Sequence, residues 1–162
     1  MPNWVENNVM ISGDNDKLVE IEKLLASKNC VFDFDKVIPM PPHSDTFYRD
    51  GNLGPAESKK YGSNNWYDWS VNNWGTKWNS CESVITYKDE ENLHYSFQTA
   101  WSPAIPVIKK LAEMFDVEIR FVYINEDYGN DCGRLIINNG KVIEDTYYET
   151  GGEKMIEEEF GA

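Results

Sequence analysis

The sequence predicts an α+β fold built on a split βαβ arrangement, and three observations carry that prediction. Apolar and polar residues alternate strictly from Leu93 to Trp101, as they do in a strand with one buried face. Apolar residues recur at helical spacing at Leu18, Ile21, Leu24 and Leu25, and again at Ile105, Ile108, Leu111, Ala112 and Phe115. With the remaining strand-like runs these segments follow one another as β-α-β-β-α-β.

Taken in order, Trp4 to Ser12 reads as the first strand, with Val5, Val9 and Ile11 among polar neighbours. Gly13-Asp14-Asn15-Asp16 supplies turn and N-cap chemistry for a helix running to about Ser27. Val31 to Ile38 is a short apolar run, ended by Pro39-Met40-Pro41-Pro42, where proline removes donors and holds an extended path. His43 to Ser63 is polar and punctuated by Gly51, Gly54, Pro55 and Gly62, with a helical turn expected near Ala56 to Lys60. Asn64 to Asn73 reads as a helix carrying Trp66 and Trp69. Residues of about 39–79 therefore form a long insert, the kind of excursion that is functional or embellishes a fold. Ser83 to Lys88 and Leu93 to Trp101 make a hairpin through Asp89-Glu90-Glu91-Asn92. Ser102-Pro103 has the form of a helix start, with an N-cap serine and proline at the first helical position. Val117 to Asn125 is the next strand, and Gly133 to Asn138 and Lys141 to Tyr148 form a last hairpin through Asn139-Gly140. From Gly151 the tail carries Met155, Ile156 and Phe160 among acids, either as a short helix or as a frayed end. The whole reads as one ferredoxin-like domain over 1–162, with an extra C-terminal hairpin and acidic tail at about 131–162.

Charge is the strongest bulk signal. Asp and Glu number 28 against 15 Lys and Arg, for a formal net charge of -13. From Glu126 onward ten acids face three bases, a net of -7. A field of that sign repels phosphate backbones and attracts basic partners, so nucleic-acid binding is disfavoured and a partner protein with a basic surface is expected. The bland alternative is that the charge serves solubility. The first residues lack a basic and then apolar leader, and no run is long enough to span a bilayer, so a cytoplasmic, non-membrane protein is expected. Cys30, Cys81 and Cys132 are odd in number and far apart, which points to lone thiols rather than a disulfide framework or zinc site.

Standard catalytic constellations do not occur: no Gly-rich phosphate loop, no GxSxG elbow, no HExxH. No cofactor and no metal are expected, and an enzyme is the less favoured class. His43 and His94 read as surface residues. Asp33 and Asp35 would share a face of an extended segment, where a metal role competes with simple solvent exposure.

The aromatic share of 14% is more distinctive, because it concentrates beside polar side chains. Asn3, Trp4, Glu6 and Asn7 open the first strand; Trp74, Thr76, Lys77 and Trp78 surround a Gly turn; Trp101 sits at a strand-to-helix junction. Neighbouring strands would let these segments converge into apolar walls with a few oriented polar groups, suited to a ring-shaped ligand or a peptide. Equally, such tryptophans bury their rings and anchor irregular segments, and for Trp74, Trp78 and Trp101 this anchoring role is favoured. Lys77 is the member that a core reading explains least.

The Asn3-Trp4-x-Glu6-Asn7 opening, the Val31-Phe32-Asp33-Phe34 run ending in Val37-Ile38-Pro39-Met40-Pro41, the Asn73-Trp74-Gly75-Thr76-Lys77-Trp78 block and Thr99-Ala100-Trp101-Ser102-Pro103 resemble the YubB-like, ferredoxin-like proteins of bacterial plasmids and phages. The resemblance spans Asn3 to about Gly133, leaving the acidic tail after Gly140 as this protein's own. It implies the fold and a mobile-element origin, and brings no activity with it. Val5 stands where many relatives have cysteine, which speaks against a catalytic thiol there.

Three functions follow as expectations. The leading one is a non-enzymatic binder or inhibitor of a host protein, such as a nucleic-acid-binding defence factor, with Glu153, Glu157, Glu158 and Glu159 as the acidic partner surface. The second is a small-ligand or enzymatic site built from Trp4, Glu6, Asn7, Trp74, Lys77 and Trp101. The third is nucleic-acid binding through aromatic residues of the sheet, such as Tyr95 and Phe97.

Overall fold

A computed structural model describes residues 2–41, 59–60, 62–63 and 65–161 of the protein. Its elements in chain order are β1 (Trp4–Ser12), α1 (Asn15–Leu25), a 3-10 turn (Phe34–Lys36), α2 (Trp66–Trp74), β2 (Cys81–Lys88), β3 (Asn92–Ala100), α3 (Ile105–Met114), β4 (Glu118–Asn125), β5 (Cys132–Asn138), β6 (Lys141–Tyr148) and α4 (Glu153–Phe160). The strands form one antiparallel sheet in the order β2-β3-β1-β4-β5-β6. The first four positions of that order are the ferredoxin-like split-βαβ sheet, and β5 and β6 extend it at one edge.

Alternation explains how the layers form. Val5, Asn7, Val9 and Ile11 of β1 face inward, as do Leu93, Tyr95, Phe97 and Thr99 of β3. Register pairs Val9 with Tyr95 and Ile11 with Leu93, so one sheet face is continuously apolar. Leu18, Ile21 and Leu25 of α1 and Val107, Ile108, Leu111 and Ala112 of α3 close over it. The opposite face carries a second, smaller core, where Met155 and Ile156 of α4 pack on Val122 and Cys132. The C-terminal tail is thus a docked helix. At the β5–β6 turn Asn139 and Gly140 both have positive φ, as the two-residue hairpin reading requires.

Three local expectations are corrected. Helix α3 starts at Ile105, not at Pro103, and Ser102 does not cap it, because the Ser102 hydroxyl donates to the Gly75 carbonyl (2.6 Å). Val31 to Ile38 is not extended but contains the 3-10 turn. Asp33 accepts the Asp35 N–H and the Asn79 amide, and Asp35 accepts the Met40 N–H, so both carboxylates tie down this loop. The helix expected over 64–73 runs from Trp66 to Trp74, while His43 and most of the predicted turn at 56–60 lie outside the described residues. All three cysteines are free thiols. Among the described residues no helix is long and apolar enough to cross a membrane.

Candidate binding site

Helix α2 ends at Gly75, whose φ of +80° reverses the chain and whose position against Pro106 leaves no room for a side chain. The residues that follow are stitched to the end of β3. Thr76 Oγ1 donates to the Ala100 carbonyl (2.9 Å), beside the Ser102–Gly75 bond. Asn7 reaches the same junction from β1. Its amide nitrogen donates to the Val5 carbonyl (3.0 Å) and Thr99 Oγ1 (2.8 Å), while its oxygen accepts the Ala104 N–H (3.3 Å). Thr99 Oγ1 passes the chain of bonds on to the Ser102 carbonyl (2.7 Å). Asn7, Thr76 and Thr99 are all buried, so their polar groups are committed to holding the junction rather than offered to a ligand.

Of the tryptophans, Trp74 belongs to the core: it is 4% exposed, its indole N–H donates to the Ile38 carbonyl (2.9 Å), and its ring meets Phe34 and Trp69 edge-on. Trp78 and Trp101 are exposed and Trp4 is half-buried at the edge of the same surface. Trp4 and Trp78 touch at 6.2 Å between ring centroids, and the Lys77 ammonium sits 4.6 Å from the Trp78 ring centroid and 5.0 Å from that of Trp101. Each exposed cation–π contact contributes about 0.5–1 kcal/mol, so Lys77 acts as a pin between two surface indoles. Glu6 points to the other face of the sheet, with Asn8, Ile124, Tyr128, Ile156 and Phe160 around a cleft of about 290 Å³. Asn3 is exposed and contributes its carbonyl to the Trp101 N–H. The sequence-predicted cluster therefore divides into a buried half (Asn7, Trp74, Thr76) and a surface half (Trp4, Lys77, Trp78, Trp101), with Glu6 apart from both. Tyr95 and Phe97 are buried in the core and offer no stacking surface on β3.

Trp101 itself lines a second cleft of about 460 Å³, together with Pro103, Tyr123, Asp131, Asp145 and Tyr147. The chain reverses here with φ of +69° at Trp101 and +45° at Asp131, a conformation that aspartate tolerates but that tryptophan adopts only under the constraint of its surroundings. The Tyr147 hydroxyl donates to Asp131, and this bond holds its phenol above the usual range. Burial, followed by the negative charge of Asp145, pushes the Tyr123 phenol up to about 12. Gly133 provides the space for that phenol, since a side chain there would collide with the Tyr123 hydroxyl. Sequence reasoning named only Trp101 of this group. The usable signal was the i, i+2 spacing of Asp145 and Tyr147 on a predicted strand, which puts both on one face.

The family model described as the ferredoxin-like domain in Api92-like protein matches residues 73–162. The chain belongs to this family. The matched span opens at the Asn73-Trp74-Gly75 block and runs through α4, so the C-terminal tail is part of the family domain and not an appendage of this protein. The crystal structure of a protein Api92 from Yersinia pseudotuberculosis has the same fold, with a TM-score of 0.62 at 10% identity over 93% of this chain and 99% of that one. No curated protein matches.

Within the family domain, α4 presents its acids unequally. Glu153, Glu157 and Glu158 are exposed. Glu159 is not part of that surface: its side chain is 7% exposed and bridges Arg120 (2.7 Å) and Arg134 (2.8 Å). Arg134 also pairs with Glu144 on β6, and this contact holds the Glu144 carboxyl below its usual range. Two partly buried guanidinium groups would lose their shared partner in Glu159→Gln. The variant is expected to be destabilised by about 2 kcal/mol, read as a fall in Tm of roughly 4–8 °C.

Proposed function

We propose that this protein is a non-enzymatic binding protein of a bacterial mobile element, acting in the host cytoplasm on a host protein with a basic surface. The observation that carries this reading is the rigid display of Glu153, Glu157 and Glu158. All three are exposed on α4 and have no ion-pair partner among the described residues. Met155, Ile156 and Glu159 fasten the same helix to the sheet. A helix fastened in this way presents its carboxylates at a set spacing, and in a chain of net charge -13 the field also speeds encounter with a cationic surface. A groove built for a phosphate backbone, as in a nucleic-acid-binding defence factor, has the matching sign. The sequence resemblance to YubB-like proteins of plasmids and phages supports the mobile-element origin.

The test compares the wild-type protein with the E153Q/E157Q/E158Q variant as baits in bacterial lysate, with and without nuclease. The expected result is one stoichiometric, nuclease-resistant protein partner whose affinity falls tenfold or more in the variant, with the difference shrinking at high salt. Equal affinity for the variant removes the acidic helix from the interface. Capture that disappears with nuclease overturns the reading in favour of nucleic acid.

A further inference from the structure

The cleft beside Trp101 lies on the other face of the sheet from α4, and it exists because of the added hairpin. Helices α1 and α3 cover the four ferredoxin-like strands, but β6 lies beyond them, so its inward-facing Asp145 and Tyr147 are exposed rather than capped by a helix. The Trp101–Pro103 segment supplies the facing wall, with Trp101 51% exposed. The result is a concave site with aromatic walls and two carboxylates.

We propose that this cleft binds a guanidinium group, presented as an arginine side chain of a protein partner, between the rings of Trp101 and Tyr147 and the carboxylates of Asp131 and Asp145. The two carboxylates of Asp131 and Asp145 outweigh the single charge of Lys77, 5.0 Å from the Trp101 ring centroid, and the partial positive charge at the start of α3, and the backbone N–H of Ala104 nearby is already taken by Asn7. The cleft therefore selects a cation. A planar guanidinium stacks on aromatic faces and reaches two carboxylates with one fork of donors, which a compact ammonium does not. The existing contact of Lys77 with Trp101 shows that this indole already attracts a cation. Asp131 is oriented in advance by the Tyr147 hydroxyl, and the backbone that carries the Trp101 ring is held by its own N–H bond to the Asn3 carbonyl (2.8 Å). A volume of about 460 Å³ accommodates one such side chain with its flanking backbone. Because α4 occupies the opposite face, this site and the acidic helix stand or fall separately.

The experiment is an NMR titration of the ¹⁵N-labelled full chain with Nα-acetyl-arginine amide, against the neutral isostere Nα-acetyl-citrulline amide. Saturable shifts with millimolar affinity are expected at the Trp101 indole and at the amides of Asn125, Asp131 and Tyr147, and citrulline is expected to bind at least tenfold more weakly. The D131N/D145N variant should lose the arginine response by a similar factor. Asparagine is well tolerated at the left-handed position of Asp131, and unchanged signals from β1 and β3 would show that the fold persists. D145N alone gives a smaller loss of the same sign. Equal binding of arginine and citrulline, shifts centred on α4, an undiminished response in D131N/D145N, or no shifts at all would each overturn the proposal.

Discussion

Trp74→Ala is expected to be the most damaging single truncation among the tryptophan positions, and to act on stability rather than on binding. The indole fills the junction between the 3-10 turn and α2, 5.8 Å from Phe34 and 5.3 Å from Trp69 between ring centroids. Its N–H is the partner of the Ile38 carbonyl. Removing a buried tryptophan ring leaves a cavity and strips that carbonyl, a loss of about 4 kcal/mol. For a chain of this length that lowers Tm by roughly 8–16 °C. Trp74→Phe keeps most of the ring and loses the hydrogen bond, for about 1–2 kcal/mol. Thermal and urea denaturation of both variants measure the two parts. The core assignment fails if Trp74→Phe folds with wild-type stability yet loses its partner or the arginine response, because then the indole is serving a ligand.

Much of this architecture was legible because strand and helix periodicities differ. Strand β1 has the bounds read from its sequence, and β3 shows its inward face at every second residue from Leu93. The start of α3 departs from its local sequence signal for a tertiary reason. Ser102-Pro103 has local helix-start chemistry, but the Trp101 reversal aims the Ser102 hydroxyl at Gly75, and the helix begins only at Ile105. The fate of the tail was open because Met155 and Ile156 are an apolar pair whose receptor is distant in sequence. The clue lay in β4, where Val122 and Ile124 are apolar on the face opposite Phe121 and Tyr123. A strand apolar on both faces is covered on both sides. Glu159 reads like its neighbours in the sequence because charge alone does not reveal which acid of a run turns inward. The cleft was not legible at all beyond Trp101, since Asp131, Asp145 and Tyr147 meet it only through the pairing of β4, β5 and β6.

Asn7→Asp isolates what the buried half of the predicted cluster contributes. The amide orientation is dictated by its surroundings: the nitrogen faces the Val5 carbonyl and Thr99 Oγ1, and the oxygen faces the Ala104 N–H. A carboxylate keeps the shape and the Ala104 bond but sets a negative charge against the Val5 carbonyl in a fully buried position. Burial and repulsion raise such a carboxyl by about 3 pH units, equivalent to roughly 4 kcal/mol of lost stability when it is ionised. Its folded value lies above its unfolded one, so the penalty is complete above the folded value. It shrinks as pH falls and vanishes below the unfolded value of about 4. Measured against the wild type at each pH, Asn7→Asp should therefore be strongly destabilised at pH 7 and approach wild-type stability near pH 4. There the protonated acid is uncharged and offers one donor and one acceptor, so only one of the amide's two donated bonds is missing. A deficit that stays constant across this range would mean that shape, not charge, is at stake. A variant as stable as the wild type at pH 7 would mean that Asn7 does not hold β1, β3 and the start of α3 together.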